Sequence, residues 1–324
     1  MNTLHSYQAL LSQCQQADSI LLTGPIFPDG DSIGACLALA IGLKELTNAR
    51  IDVAGESSFR YAWITSVGKM IPDNEVSGCY DIAIVMDGDR HRLPEKVRQA
   101  YTSSKTRMII DHHASTDSKG YDLAIIDTLS ASTCEIVFQI IEQWGVRLDK
   151  QLAELIYTGV IFDTGGFRHS NTKPQTHMLA ARLLETGIDH SGISSRILME
   201  RQKTGVQLLG HALNKLEYLR DGRICFCWIS WQELEELQCQ LGDYEGIVET
   251  MLFIKGVSIA CFCIEREPGL LKLSLRSRCD INVADLAQMI SVNGGGHPRA
   301  AGVMLAGSEK ENRSHIMRIL EASF

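Results

Sequence analysis

This 324-residue chain has no stretch of apolar residues near the ~20 needed to cross a bilayer as a helix. Its N-terminal Met-Asn-Thr-Leu-His-Ser has neither the basic nor the apolar region of a secretion signal. The chain is therefore read as a cytoplasmic protein with no membrane partner. It also has no excess of positive charge, since 31 Lys and Arg stand against 39 Asp and Glu for a formal net charge of -8. A surface that wraps long duplex nucleic acid is basic, so that partner is excluded, whereas a local basic groove for a short anionic ligand is not. Its ten cysteines include no Cys-x-x-Cys pair, the spacing that would support a zinc or redox site. Cys225-Phe-Cys227 and Cys261-Phe-Cys263 instead alternate along strand-like segments, which puts both thiols of a pair on one face. They read as reduced core residues. Internal repeats and low-complexity segments are missing too.

What is present is an ordinary globular composition, 45% hydrophobic and 22% charged, on a chain long enough for two domains. Residues 1–18 read as an amphipathic helix, followed by a strand at Ser19–Thr23 and an Ala/Leu-rich helix that Asp31 or Ser32 can cap. Apolar strands follow at Ile51–Gly55, Asp81–Met86, Arg107–Asp111 and Tyr121–Asp127. Strands alternating with helices predict an α/β domain with a mainly parallel sheet over residues 1–187. The helical stretch 188–214 reads as a connection. Strands at Arg223–Ile229, Val257–Ile264 and Leu270–Arg276, with helices between and after them, predict a smaller α+β domain over 215–324.

Three strands of the first domain end on polar residues: Met86 runs into Asp87-Gly-Asp89, Ile110 into Asp111-His112-His113, and Ile126 into Asp127. Ligands of an open α/β sheet gather beyond the carboxyl ends of its strands. Read alone, Asp111-His112-His113 is either a helix-capping turn or part of a site. With Asp29, Asp31, Asp87 and Asp163 it supplies hard oxygen donors and an imidazole from separate loops. That inventory suits divalent cations assisting phosphodiester hydrolysis, where two ions roughly 3.5 to 4 Å apart neutralise charge and activate water.

Together these residues resemble the DHH phosphoesterase superfamily. Pro28-Asp29-Gly30-Asp31 is similar to its first motif, Asp87 to its second, Asp111-His112-His113 to its third and Asp163-Thr164-Gly165 to its fourth. In the second domain, Asn293-Gly294-Gly295-Gly296-His297-Pro-Arg-Ala-Ala301-Gly302 resembles the glycine-rich signature of the associated DHHA1 domain, and Ser274-Leu-Arg276-Ser277 the basic strand before it. The resemblance spans nearly the whole chain and is nearest to the nanoRNase and 3'-phosphoadenosine-5'-phosphate phosphatase subgroup.

The resemblance implies two manganese ions, with magnesium as an alternative. Asp29 and Asp87 would hold the first, Asp31, Asp87, His112 and Asp163 the second, and Asp111 would orient His112. Asp87, His112 and His113 would be catalytic, with His113 meeting the scissile phosphate. Arg276, Ser277, Gly295, Gly296 and His297 would bind substrate, in a cleft between the domains of a protein that can form a homodimer. One departure matters: four residues before Asp29, where the family carries a metal-binding His, stands Pro25. The first metal site is then expected to be weak or empty unless Asp89, His91 or a water fills the gap.

Three functions follow. The leading one is a metal-dependent phosphoesterase acting on short oligonucleotides, nucleoside 3',5'-bisphosphates or both. The others are a nucleotide-binding protein whose catalysis is weakened or lost through Pro25, and a cyclic or linear dinucleotide phosphodiesterase.

Overall fold

A computed structural model describes residues 3–26, 28–55, 61–64, 69–240 and 242–324. Met1 and Asn2 of the N-terminal helix, and Phe27 of the first motif, lie outside them. The chain divides into two compact units, Met1–Glu200 and Arg201–Phe324.

The first unit runs α1 (Thr3–Cys14), β1 (Ser19–Thr23), α2 (Gly30–Leu46), β2 (Arg50–Ala54), β3 (Ile82–Met86), α3 (Glu95–Ser103), β4 (Thr106–Asp111) and β5 (Leu123–Ile126). Four helices complete it: α4 (Thr133–Gln143), α5 (Lys150–Asp163), α6 (Pro174–Glu185) and α7 (His190–Leu198). The five strands are all parallel, in the order β2-β1-β3-β4-β5. Such a sheet must be covered on both faces, which is why its inner strands β1, β3 and β4 carry continuous apolar runs, whereas the edge strand β2 alternates and is partly exposed. Ile20, Leu22, Ile84, Met86 and Ile110 face one core with α2, α4 and α5, while Leu21, Ala83, Val85 and Ile109 face another with α3. α2 is buried over most of its circumference, as expected of a helix that is apolar all round.

The strand order reverses between β1 and β3, because β2 lies on one side of β1 and all later strands on the other. In doubly wound folds that switch point opens a crevice beyond the strand ends. The loops leaving β1 and β3 carry Asp29 and Asp87, and the first turn of α2 carries Asp31.

The second unit comprises α8 (Lys203–Asn214), β6 (Glu217–Leu219), β7 (Ile224–Ile229), α9 (Trp231–Glu236), α10 (Ile247–Leu252), β8 (Ile259–Glu267), β9 (Leu270–Ser277), α11 (Val283–Ile290), β10 (Gly295–His297), β11 (Ala300–Ala306) and α12 (Glu309–Ala322). Its sheet has the order β10-β11-β9-β8-β7-β6, antiparallel except for β7 beside β8. One face packs on α11 and α12 and contains Cys261 and Cys263. The opposite face packs on α8 and α10 and contains Cys225 and Cys227. All ten cysteines are free.

The two helices read as a connection are shared between the units. Ile193 and Ile197 of α7 join the first core, and Leu208 and Ala212 of α8 join the second. The glycine signature is no plain loop, since Gly295–His297 and Ala300–Ala306 pair as antiparallel strands. Among the described residues, no helix is long and apolar enough to cross a membrane.

Candidate metal centre

Asp29 is the N-cap of α2. Its Oδ1 accepts the N–H groups of Asp31 at 3.0 Å and Ser32 at 3.1 Å, the usual satisfaction of a helix's first unpaired donors. Asp31, in the first turn, is fully buried, and its carboxylate points to the start of α4. There Oδ2 accepts from Thr133 N at 2.6 Å and Oδ1 from Cys134 N at 2.9 Å. The first turn of α4 thus serves Asp31 as a paired donor, with the helix dipole adding favourable potential for its charge.

That turn is itself secured. Ser132 Oγ accepts Glu135 N–H at 3.1 Å, and Glu135 Oε2 accepts Ala131 N–H at 2.8 Å and the Thr176 hydroxyl of α6 at 3.3 Å. Burial raises the Glu135 carboxyl above its ordinary value.

Asp87 follows β3 in the left-handed region, at φ 59°, and its N–H donates to Ile110 O of β4 at 3.0 Å. The residue is buried, and its Oδ1 accepts the Thr133 hydroxyl at 3.2 Å. His112 Nε2 lies 2.9 Å from Asp163 Oδ2, at the end of α5, and 3.5 Å from Asp87 Oδ1. It closes no well-formed hydrogen bond to either.

Asp111 is fully buried, and its Oδ1 accepts His112 N–H at 2.8 Å while standing 2.7 Å from His113 Nδ1. Its Oδ2 accepts the Thr116 hydroxyl. The expectation that Asp111 orients the ring of His112 is thereby corrected: it holds the backbone of His112 and the ring of His113. Alternate residues of an extended chain share a side, so Asp111 meets the second imidazole.

These groups perturb one another strongly. Burial, then the charges of Asp31 and Asp29, hold the Asp87 carboxyl well above its ordinary value. Burial and the Asp31 charge also raise Asp29, and push Asp163 up to about 7 against the opposing pull of His112. Burial acts to lower His112, but the carboxylates of Asp163 and Asp87 outweigh it and raise the imidazole to about 12. The carboxylates of Asp29, Asp31, Asp87 and Asp163 outnumber the imidazoles of His112 and His113, so their charge is undercompensated in a buried place.

Among the described residues, two groups of side chains could each hold a cation, with ligand atoms within 4.8 Å of one another: Asp87, Asp111, His112 and His113, and Asp31, His112 and Asp163. Hard oxygens with one or two imidazoles suit manganese or magnesium better than a thiolate-preferring metal. The buried His112 Nε2, aimed at carboxylate oxygens without a proper hydrogen bond, fits a cation ligand.

Neither suggested substitute for the missing imidazole belongs to these groups. Asp89 Oδ1 accepts His91 N–H at 2.8 Å and its Oδ2 accepts the Tyr121 hydroxyl at 3.0 Å, while His91 is exposed. Pro25 is buried beside the Asp87 loop, its ring 3.6 Å from where a Cβ on Gly88 would stand.

In the second unit, His297 pairs with Ala300, and Ala300 with Arg276, across three neighbouring strands. Residues paired this way point to the same face, so the imidazole and the guanidinium flank a small alanine. Arg276 Nε and Nη2 stand 2.9 and 2.8 Å from Glu249 Oε1 of α10, and Nη1 donates to Leu275 O at 2.9 Å. Ser277 is buried and exchanges hydrogen bonds with the backbone of Cys279. Gly295 precedes Gly296, whose φ is 141° and where a Cβ would come within 2.4 Å of Ala300 O, so only glycine fits there.

The sequence reading did not select Thr133, the N–H of Cys134, Glu249 or Gly159. A Cβ on Gly159 of α5 would stand 2.3 Å from Asp31 Oδ1. The Ser132/Glu135 spacing is a visible capping signal. Which carboxylates that helix end meets depends on where α4 packs.

The model of the DHH family, N-terminal domain, matches residues 19–160, and that of the DHHA1 domain matches 230–322. Among similar proteins, the bifunctional oligoribonuclease and PAP phosphatase NrnA of Thermus thermophilus is 27% identical over 305 residues, 92% of this chain and 89% of that one. The protein of the same name in Bacillus subtilis is 28% identical over 300 residues, 91% and 92% of the two chains. The crystal structure of an exopolyphosphatase-related protein from Bacteroides fragilis superposes with a TM-score of 0.88 at 25% identity, covering 98% of this chain and 96% of that one. RecJ of Thermus thermophilus in complex with Mn2+ shares the fold at a TM-score of 0.61 and 13% identity, covering 100% of this chain and 55% of that one.

Proposed function

The chain belongs to the DHH phosphoesterases, a family of hydrolases, with a DHH domain followed by a DHHA1 domain, and on that premise we propose that it hydrolyses very short oligonucleotides and nucleoside 3',5'-bisphosphates in the cytoplasm, with manganese as its metal. The observation that carries this reading is the convergence of Asp31, Asp163 and His112 at the carboxyl end of the parallel sheet, with His112 Nε2 directed at carboxylate oxygens. The names of the relatives from Thermus thermophilus and Bacillus subtilis support the substrate class.

Asp31, Asp87, His112 and Asp163 would hold one cation, and Asp29 with Asp87 another. A divalent cation there supplies Lewis acidity toward a phosphoryl oxygen and toward water. The protein's own groups set the stage. The first turn of α4 holds the Asp31 carboxylate in its orientation, and the α2 cap fixes Asp29. Asp111 fixes the His113 ring through Nδ1, so that ring addresses a phosphoryl oxygen through Nε2. Hydrolysis adds the water oxygen to phosphorus, breaks the bond to the ester oxygen and returns a proton to the departing alcohol.

Purified protein incubated with a labelled dinucleotide and manganese is expected to release mononucleotides, and with a nucleoside 3',5'-bisphosphate to release inorganic phosphate. Turnover no greater than in a chelated control for both substrates removes the reading.

In the second unit, Arg276 and His297 are proposed to hold substrate phosphate without taking part in bond cleavage. Arg276→Ala is then expected to raise KM about tenfold or more with kcat little changed, the signature of lost uniform binding. A fall in kcat at unchanged KM, measured by initial rates on the dinucleotide, contradicts that role.

Pro25 favours a second reading, in which the first cation is held weakly. Because its ring packs beside the loop carrying Asp87, an imidazole placed there is next to the cluster. Pro25→His is expected to lower the manganese concentration for half-maximal turnover by about tenfold, the scale of one added ligand or its support. An unchanged metal titration shows that the site is complete without the imidazole.

A further inference from the structure

Thr133 touches both halves of the cluster and belongs to none of the motifs. It is fully buried at the first position of α4. Its N–H donates to Asp31 Oδ2 at 2.6 Å, and its hydroxyl donates to Asp87 Oδ1 at 3.2 Å. Asp31 arrives on α2 and Asp87 on the loop after β3, so nothing in either element alone sets the spacing between the two carboxylates. We infer that Thr133 is a positioning residue, which fixes how the Asp31 and Asp87 carboxylates face each other and so sets the affinity of the cation they share. This rests on the metal-holding reading of the cluster.

The hydroxyl has a particular use here. Asp87 Oδ1 also stands 3.5 Å from His112 Nε2 and 3.7 Å from His113 Nδ1. A donor bond from Thr133 holds that oxygen, and with it the carboxylate, in place. The backbone half of the arrangement is kept by a substitution of similar size that retains the N–H, because the Ser132/Glu135 latch keeps the helix end in place. The hydroxyl half can therefore be removed by itself. Outer groups of this kind alter metal affinity or activity by about 10- to 100-fold.

Two variants separate the hydroxyl from the methyl. Thr133→Val keeps the branched shape and loses the donor, while Thr133→Ser keeps the donor and loses the methyl. Manganese binding is measured directly, by the loss of the free-ion spin-resonance signal, and again as the manganese-induced rise in Tm. Turnover of the dinucleotide is recorded alongside. The expectation is a 10- to 100-fold weaker manganese affinity in Thr133→Val, near-wild-type affinity in Thr133→Ser, and metal-free Tm values within a few degrees of wild type for both. Thr133→Val binding manganese like wild type overturns the inference, and so does equal weakening in both variants, which would assign the effect to packing of the methyl. If the wild-type protein binds no manganese, the metal-holding reading itself fails, and the inference with it. A wild type that binds, beside a Thr133→Val variant that binds as well, refutes this inference alone.

Discussion

Asp87→Asn is expected to lower turnover of a dinucleotide about a thousandfold at saturating manganese while leaving the fold intact. Asparagine is the substitution that isolates the charge. Asp87 sits at φ 59°, where asparagine is as much at ease as aspartate, whereas alanine at that backbone adds a cost of ~1 kcal/mol or more. The amide oxygen can still accept the Thr133 hydroxyl. What disappears is one negative charge from a cluster that neutralises a divalent cation, and loss of charge stabilisation on that scale is worth roughly 4 kcal/mol, or a thousandfold in rate.

The stability change has the opposite sign. A carboxyl whose folded-state pKa is raised, as burial and the charges of Asp31 and Asp29 raise this one, opposes folding when ionised. A neutral amide removes that opposition, so at neutral pH the metal-free Tm is expected to hold or rise while the manganese-induced increment shrinks. Initial rates and two thermal melts check both halves. An Asp87→Asn enzyme within tenfold of wild type removes Asp87 from the machinery.

Gly159→Ala is expected to be costly for both stability and turnover. A Cβ there would stand 2.3 Å from Asp31 Oδ1, 2.4 Å from Cys134 Sγ and 2.8 Å from Cys134 Cβ. None of these can yield alone, because Asp31 is held by the first turn of α4 and Cys134 is in that turn. The methyl must push α5 away from α4 or tilt the carboxylate. Overpacking of this kind costs ~1–3 kcal/mol, and a carboxylate displaced by about an ångström costs roughly a hundredfold in rate. The expected result is a Tm lowered by several degrees and turnover reduced about a hundredfold. Gly210→Ala in α8 is the control, since a Cβ there meets nothing within 4 Å, and alanine in a helix is favoured by ~1 kcal/mol. Equal behaviour of the two variants would mean that α5 has room to move.

Much of this architecture could be read from residue pattern. β3 is an unbroken apolar run leading into Asp87 and β4 runs Met108-Ile-Ile before Asp111, and α6 starts at Pro174 and ends before Gly187, so local chemistry announces both kinds of element. The hairpin of β10 and β11 could not be read. Gly295-Gly296-His297 carries no apolar alternation, and it is a strand only because β11 pairs with it. The carboxylates and His112 could be singled out because each ends an element at the side of the sheet where ligands gather. Their supports could not. Thr133 reaches Asp87 across 46 positions and Asp31 across 102, and Arg276 meets Glu249 of α10 from a separate strand. Such partnerships are set by how helices pack on the sheet. The Asp111–His113 contact is an intermediate case, accessible from strand alternation.

The order in which the cluster's members occur along the chain bears on how the protein is made. Asp29 and Asp31 emerge early, Asp87 and His112 follow, and Asp163 closes α5. The parallel sheet that gathers them joins strands distant in sequence, a topology that forms slowly because loop closure precedes any reward. On the ribosome the carboxylates therefore accumulate before the helix carrying Asp163 exists, and until it docks, the nascent chain has only part of its cation-binding set. Coordination of a cation by the proposed set would then be a late event in the maturation of the first unit, one that traps the finished topology and leaves earlier intermediates unrewarded.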